Sequence, residues 1–134
     1  MARPTHFEIP VDDADRAERF YRELFGWTFQ RYEGAPSYYG MTTTGPDSEN
    51  PGINGALFQR GADSAITLTM SVDSIEAAID KAVDLGAQVI QAKAPVPGVG
   101  YFATLQDTEG NKFGLFVNDE TATMPEGVSA AATT

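Results

Sequence analysis

The chain has 134 residues, 42% of them apolar, which is the size and composition of one ordinary domain with a core of its own. Nineteen acidic and nine basic residues give a formal net charge of −10 at pH 7, which argues against a nucleic acid or a membrane surface as partner, because both bind clustered positive charge. With no cysteine and a single histidine, His6, the chain excludes disulfides, thiolate nucleophiles and cysteine-ligated zinc.

The first predicted elements are a short strand over 6–12 and a helix over 14–25. Asp12 or Asp13 caps the start of the helix, and Gly26 suits the left-handed backbone that ends a helix. Apolar residues recur along one face of the helix, and the stripe consists of Ala17, Phe20, Tyr21 and Leu24. Three strands then follow, separated by turn-rich segments, over 27–32, 37–43 and 53–59.

The same order of elements repeats about 60 residues later. A strand over 67–73 precedes a helix over 74–85, which Asp73 or Ser74 caps and Gly86 ends, 86 − 26 = 60 residues after the first such glycine. The apolar stripe of this second helix consists of Ile75, Ala78, Ile79, Ala82 and Val83. Three more strands are predicted over 88–92, 101–106 and 112–118. The chain therefore predicts an internal repeat with the order βαβββ in each half.

The remaining sequence features concern location and the end of the chain. No apolar run approaches the length of about 18 residues that a membrane-spanning helix needs, and no segment has the pattern of a signal peptide. We therefore expect a soluble, cytoplasmic protein. Residues 120–134 are low in large apolar side chains, and we expect a mobile tail there.

Three stretches resemble a known superfamily: HFEIPVDD at 6–13, FYRELFGW at 20–27 and DTEGNKFGL at 107–115. With the repeat, they make the sequence similar to the vicinal oxygen chelate superfamily of glyoxalase I, extradiol dioxygenases and bleomycin resistance proteins, and within it to small bacterial glyoxalase-like members. The resemblance implies an α+β fold in which two tandem βαβββ modules form curved mixed sheets around a cavity for a ligand. It implies one domain over 1–120, with modules over 4–61 and 64–119, and a homodimer.

Strand alternation predicts which side chains line that cavity, because successive residues point to opposite faces of a sheet. The helices must cover the apolar rows, such as Phe7, Ile9 and Val11 of the first strand. The opposite rows supply the polar contacts that we expect for a ligand, namely His6, Glu8, Asn54, Thr67, Thr69 and Lys112. Three aromatic side chains complete the predicted ligand-binding set, namely Tyr39, Phe58 and Phe116.

Metal-dependent relatives of the glyoxalase type place a ligand near the start of the first and fifth strands and a carboxylate in the fourth and eighth. Carried over to this sequence, those positions hold His6, Thr67, Ala56 and Gly114. Only His6 has a metal-binding side chain, and with Glu8 as a second ligand the set still falls short of the three or four that such sites use. We therefore expect no metal and no other cofactor.

Two functions from different classes fit these features. The leading hypothesis is a metal-independent protein that binds a small, partly apolar molecule. The alternative is a glyoxalase-like lyase, isomerase or dioxygenase that uses a divalent metal. No residue is assigned to catalysis: Glu8 is a candidate general base, although a carboxylate neutralised by Lys112 or His6 explains the same residue. The acidic surface serves solubility or attracts a cationic ligand.

Overall fold

The structure is a computed structural model that describes residues 2–32, 35–43, 52–62 and 64–123. The chain divides into two compact units, Thr5–Thr67 and Leu68 onward, the latter joined by the first four residues, and we call the two βαβββ segments they contain the first and second modules. Among the described residues, no helix has both the length and the apolar content needed to cross a membrane.

The two modules have the same element order and the same strand arrangement. The elements of the first are β1 (Arg3–Val11), α1 (Ala14–Phe25), β2 (Thr28–Tyr32), β3 (Ala35–Thr42) and β4 (Asn54–Gln59). Those of the second are β5 (Thr67–Ser71), α2 (Ile75–Asp84), β6 (Gln88–Val96), β7 (Gly100–Gln106) and β8 (Lys112–Asn118). The strands are ordered β1-β4-β3-β2 and β5-β8-β7-β6, with one parallel pair in each module, β1 with β4 and β5 with β8. The predicted α+β fold of two βαβββ modules is confirmed.

Both helices begin at a residue whose side chain accepts a hydrogen bond from the backbone of the first helical turn. Asp13 is the N-cap of α1, and its carboxylate accepts a hydrogen bond from the backbone N–H of Arg16 at 3.1 Å. Ser74 caps α2, and its hydroxyl accepts from the backbone N–H of Ala77 at 3.2 Å. Gly26 ends α1 with a φ of 77°, a left-handed conformation that a residue with a Cβ rarely adopts.

The strand β6 is longer than the sequence predicted. The predicted strand over 88–92 ends before Pro95, whereas the structure continues β6 through Pro95, opposite Tyr101, as far as Val96. The proline is tolerated because β6 is the edge strand of the second module's sheet, where a missing N–H leaves the ladder intact.

The beginning of the expected tail packs against the second module. Ala122 is 2% exposed, and its carbonyl oxygen accepts a hydrogen bond from the backbone N–H of Gly98 at 2.9 Å. The segment 120–123 is therefore held against the turn between β6 and β7. The rest of the expected tail, 124–134, lies outside the described residues. The single domain over 1–120 stays a prediction.

Each module has its own apolar core on the face of the sheet that its helix covers. The buried residues of the first core are Val11, Tyr39, Met41 and Leu57. Those of the second core are Ile75, Ala103, Leu105 and Leu115. The helix α2 contributes Ile75, which is fully buried, whereas every residue of α1 keeps part of its surface exposed.

The sheet covers only half of the apolar stripe of α1. Ala17 and Tyr21 pack against the core, but Phe20 and Leu24 are each 58% exposed. In α2 the coverage is more complete, since Val83 is the one member of the predicted stripe that is exposed.

Three side chains tie the start of α1 to its sheet, and we call them the first triad. Arg31 of β2 forms an ion pair with Asp15 in the first turn of α1. The guanidinium of Arg31 also lies over the ring of Tyr39 on β3, with Cζ 4.7 Å from the ring centre. The Tyr39 hydroxyl donates a hydrogen bond to Asp15 Oδ1 at 3.3 Å, and burial raises the pKa of that hydroxyl.

The second module repeats this arrangement in a second triad. Lys93 of β6 forms an ion pair with Glu76 in the first turn of α2 and lies over the ring of Tyr101 on β7, with Nζ 4.4 Å from the ring centre. The acidic, cationic and aromatic members of the two triads are 76 − 15 = 61, 93 − 31 = 62 and 101 − 39 = 62 residues apart in the chain. The internal repeat therefore extends from the order of elements to individual side-chain contacts.

Candidate functional site

The open face of the first sheet, on the side away from α1, carries the polar residues that the sequence predicts for ligand binding. His6 and Glu8 lie two residues apart on β1, opposite Asn54 and Ala56 of β4. Phe58 follows two residues later on the same face of β4. The residues that alternate with them pack in the helix-covered core, namely Phe7, Ile9 and Leu57.

His6 and Glu8 form the ionisable pair of this face. Nε2 of His6 is 3.9 Å from Oε2 of Glu8, and the two side chains are 31% and 30% exposed. Both groups are therefore close to the sheet and still within reach of a small molecule. A carboxylate accepts hydrogen bonds and an imidazole donates or accepts them, so the pair suits a ligand with a polar hydrogen-bonding group. Beside them, Asn54 Oδ1 accepts a hydrogen bond from the backbone N–H of Thr43 at 3.0 Å, which orients the amide.

The middle of this open face is shallow because two adjacent residues have almost no side chain. Glu8, Ala56, Gly40 and Gln30 form one row across the four strands in register. In this row the two small residues, with a methyl group and a hydrogen atom as side chains, thus lie between the carboxylate of Glu8 and the amide of Gln30. Small residues at this point leave room for another group to approach the backbone closely.

Tyr32 takes up that room, and the sequence pattern did not reveal it as a site residue. A Cβ built on Gly40 would lie 2.6 Å from the Tyr32 hydroxyl oxygen, so the phenol sits over the glycine. Tyr32 is 44% exposed, which leaves part of its ring accessible from the solvent side. The signal in the sequence is Gly40 itself, because a glycine inside a strand indicates the close approach of another group.

Tyr39 was predicted to line the ligand site, and that prediction is wrong. It pairs with Leu57, is 8% exposed and lies in the helix-covered core of the first module. Strand alternation could not place it because residues 38 and 39 are both tyrosines, so the pattern is equally apolar on both faces at this point. The contacts of the first triad explain its position, because the hydrogen bond to Asp15 and the stacked guanidinium of Arg31 hold Tyr39 on the helix side.

On the open face of the second sheet, Thr69 stands opposite Gly114, and Phe116 follows two residues later on β8. Thr67 and Lys112 precede Thr69 and Gly114 by two residues and therefore belong to the same face. The residues that alternate with this set pack in the second core, namely Met70, Phe113 and Leu115. The structure thus assigns the predicted residues of this module to one face.

The four positions that carry ligands in metal-dependent relatives do not fit a divalent metal in this chain. Ala56 offers only a fully buried methyl group, and Thr67 a neutral hydroxyl. A Cβ at Gly114 would lie 2.7 Å from Thr69 Oγ1, so Thr69 fills the space that a carboxylate at this position would need. His6 alone has a suitable donor. In the part of the chain that the structure describes, no three histidine or acidic residues come together as a metal site requires.

The sequence model of the glyoxalase-like domain matches residues 6–116 of this chain. The matched region runs from the first residue of the ionisable pair to Phe116 of β8 and so includes both modules. The chain therefore belongs to the glyoxalase-like domain family. The resemblance to the vicinal oxygen chelate superfamily is confirmed by this match and by the structural neighbours below.

Two relatives show the same degree of identity but different lengths. A glyoxylase-like domain-containing protein of Didymella fabae is 30% identical in an alignment of 109 positions that covers 78% of this chain and 84% of that protein. The CFP32 protein of Mycobacterium bovis is 30% identical in an alignment of 110 positions that covers 81% of this chain and 41% of that protein. The chain thus spans less than half of the second relative.

Two solved structures illustrate the shared fold. A glyoxalase/bleomycin resistance protein/dioxygenase superfamily member from Vibrio splendidus aligns with a TM-score of 0.63 and 14% identity, covering 88% of this chain and 100% of that chain. A Streptomyces coelicolor methylmalonyl-CoA epimerase in complex with 2-nitronate-propionyl-CoA aligns with a TM-score of 0.61 and 15% identity, covering 90% and 97%. At these identities the likeness is one of fold.

Proposed function

We propose that this protein binds a small, partly apolar molecule on the open faces of its sheets and that it does so without a metal ion. In the first module the proposed contacts are His6, Glu8, Tyr32, Asn54 and Phe58. In the second module they are Thr67, Thr69, Lys112 and Phe116. The observation that carries the proposal is the change at Gly114, where the carboxylate is absent and its space is filled by Thr69.

The chemistry of these faces supports a ligand with one polar end and one apolar end. The half-buried pair of His6 and Glu8 provides hydrogen-bonding partners that a bound polar group would satisfy on losing its water. The rings of Phe58 and Tyr32 provide apolar surface beside them. In the second module, Lys112 supplies a positive charge and Phe116 an aromatic ring. The epimerase of the same fold was solved with 2-nitronate-propionyl-CoA, a molecule that has a polar and an apolar part.

Metal analysis of protein purified without a histidine tag is the first test. We expect less than about 0.1 equivalent of nickel, zinc, iron or manganese, because a single imidazole holds a divalent ion weakly. A stoichiometric metal that is lost in the His6→Ala variant would overturn the proposal. Loss of metal in His6→Ala but not in Glu8→Gln would identify the imidazole as the anchor.

A thermal-shift screen is the second test, since a molecule that binds only the folded state raises its stability. The library should contain carboxylates, acyl-CoA thioesters and aromatic amines, so that charge and apolar size vary separately. We expect a hit whose shift falls in Glu8→Gln and in Phe58→Ala. Tyr39→Phe is the matched control, because Tyr39 lies on the helix-covered face, and its shift should stay at the wild-type value.

The second candidate function is a glyoxalase-like lyase, isomerase or dioxygenase that needs a divalent metal. The match to the glyoxalase-like domain family favours it. The structural neighbour from Streptomyces coelicolor, an epimerase, shows that a protein of this fold can be an enzyme. This second candidate function requires carboxylate ligands at other positions than the four inherited ones. The metal analysis separates it from the first proposal, because it predicts a stoichiometric ion and activity that a chelator abolishes.

Catalysis without a metal is a variant of the first proposal, in which Glu8 acts as general base. In that case Glu8→Gln should abolish turnover of a screened ligand and leave its affinity within about threefold, because the amide keeps the size of the carboxylate and loses its basicity. Equal loss of affinity and turnover would show that Glu8 only binds.

We also propose that the protein is a homodimer and acts in the cytoplasm. A cysteine-free chain is compatible with a reducing compartment. Light scattering tests the dimer: a particle of 14.4 kDa, the mass of one chain, would contradict it.

A further inference from the structure

We propose that the exposed side of α1 is the surface through which two copies of this chain associate. This inference rests on the homodimer proposed above and specifies its contact. We call the region the α1 surface and define it by two apolar side chains, Phe20 and Leu24, and by three charged neighbours on the same side, Arg16, Arg19 and Glu23.

The apolar pair of the α1 surface is large and exposed, and its phenylalanine packs against aromatic rings behind it. Phe20 and Leu24 are one helical turn apart and each 58% exposed. The ring of Phe20 meets Tyr21 edge-on, with centroids 5.2 Å apart, and Tyr21 is stacked on Trp27 at 5.3 Å. Large apolar side chains fixed by the packing behind them lose little conformational freedom on binding, which favours their use in an interface.

Charge identifies the partner as a second copy. The whole chain carries −10, so two copies repel each other at most contacts, and an association surface must lack excess negative charge. The charged residues of α1 sum to zero, since three arginines balance three acidic residues, namely Asp15, Arg16, Glu18, Arg19, Arg22 and Glu23. Among the charged residues of α2, one lysine faces three acids, which gives −2, namely Glu76, Asp80, Lys81 and Asp84.

The comparison with α2 matters because α2 and the residue after it also expose apolar side chains. Val83 is 48% exposed and Leu85 70%, so apolar exposure alone does not distinguish the two helices. The two helices differ in net charge, which is zero for α1 and −2 for α2. This difference makes α1 the helix on which two copies of an acidic chain meet with the least repulsion.

The order of charges on the α1 surface also suits a two-fold contact. Arg16 and Arg19 lie toward the start of the helix and Glu23 toward its end. When two copies of α1 pair antiparallel, Phe20 of each lies near Leu24 of the other, and Arg19 approaches the partner's Glu23. Such self-complementary pairing is what a two-fold dimer requires. The internal pair of Arg19 with Glu23, at 3.2 Å and largely exposed, is available for rearrangement.

Sedimentation equilibrium of the full chain tests the proposal. We expect the Phe20→Gln, Leu24→Gln double variant to weaken the dimer at least about tenfold, because it removes the apolar centre of the contact without changing charge. The matched control is Val83→Gln, Leu85→Gln, which removes two exposed apolar side chains at the end of α2 and should leave the dimer unchanged. A wild-type dimer that persists in the α1 variant, or that is lost only in the α2 variant, overturns this inference. A monomeric wild type overturns the homodimer as well.

A charge variant provides a test that leaves the apolar packing intact. Arg19 is highly exposed, so Arg19→Glu is expected to fold normally, as circular dichroism would check. Its dimer should be weaker at low salt and recover at about 0.5 M NaCl, where surface charges are screened. The swap Arg19→Glu, Glu23→Arg restores opposite charges across the two-fold contact and should recover the dimer at low salt. Unchanged association of Arg19→Glu at low salt would contradict the antiparallel arrangement.

Discussion

The two modules fix the start of their helices in the same way and differ in how deeply the helices pack. Both triads join an acid in the first helical turn to a cation and a tyrosine on the sheet. Next to the acid, however, α2 inserts Ile75 into its core, whereas the corresponding residue of α1 is Ala14, 75 − 14 = 61 positions earlier. The repeat thus preserves the contact that orients a helix and leaves its apolar coverage free to vary. The less covered helix has the side that we propose for association.

The largest expected effect concerns the deep packing of α2. Ile75→Ala should lower the free energy of unfolding by about 2–5 kcal/mol, because it removes a fully buried side chain and leaves a cavity. Val83→Ala, on the exposed side of the same helix, should change it by less than about 1 kcal/mol. Urea denaturation measures both. Equal losses would mean that Ile75 is packed no more tightly than the exposed Val83, which would contradict the deep packing of α2.

The second-largest expected effect is a difference in stability between alanine variants of the two glycines on the open faces, Gly114 and Gly40. Gly114→Ala should cost about 1–3 kcal/mol, since the new methyl group meets the short, stiff side chain of Thr69. Gly40→Ala should cost less than about 1 kcal/mol, because the contact there is the far end of Tyr32, which swings away. Thermal unfolding compares the two, and Thr69→Ala should recover part of the loss in Gly114→Ala. A larger loss at Gly40 would show that Tyr32 is held more firmly than its exposure indicates.

A smaller difference in stability is expected when the cation of each triad is replaced by methionine. Arg31→Met should cost about 0.5–1 kcal/mol through loss of the cation over Tyr39. Lys93→Met should destabilise less, because Tyr101 is only half-buried whereas Tyr39 is buried. Lys81→Met removes an exposed lysine of α2 outside the triad and is the control, with no change expected. The reverse order of the two triad variants would mean that ring burial does not set the strength of the contact.

The smallest effect is the share of the acid-pH dependence of stability that comes from the second triad. The hydrogen bond from Lys93 lowers the pKa of Glu76, so its stabilising contribution is present above the ordinary glutamate pKa of about 4.3 and is lost as the pH falls through the lower value. The same bond raises the pKa of Lys93, whose contribution disappears only when the pH rises through that raised value. Glu76→Gln should therefore reduce the loss of melting temperature between about pH 5 and pH 2, and the rest of that loss should remain because hydrogen bonds also lower the pKa values of Asp107 and Asp119. Asp80→Asn, on the same helix, is the control that should retain the wild-type slope.

Much of the fold was predictable because it depends on local patterns. The repeat, the N-caps of both helices, the Gly26 cap of α1 and most strands follow from alternation, helical spacing and turn residues within short windows, whereas α2 ends at Leu85, one residue before the predicted Gly86. The length of β6 did not follow from such patterns. A proline interrupts a strand unless that strand lies at the edge of a sheet, and which strand is at the edge depends on pairing with distant residues. The exposure of Phe20 and Leu24 did not follow from them either, because helical spacing defines an apolar stripe without saying how much of it the sheet covers.

The candidate site was predictable where polar and apolar residues alternate clearly. His6 and Glu8 lie on the open face because their neighbours are apolar and needed in the core. Alternation fails for Tyr39, where two tyrosines are adjacent, and for Tyr32, whose position depends on Gly40 of the next strand. The triads escaped the sequence pattern altogether, since Asp15 is 16 residues from Arg31 and 24 from Tyr39.

The two triads also differ in the chemistry of their cations. Lys93 is a primary amine and Arg31 a guanidinium, so an acyl donor such as an acyl thioester modifies the first and spares the second. Acylation needs the neutral amine, and the carboxylate of Glu76, which raises the Lys93 pKa, keeps that form scarce. Lys93 should therefore be acylated slowly while α2 is in place. Once acylated, Lys93 would lose its charge and with it the ion pair to Glu76, whereas Arg31 would keep its pair with Asp15.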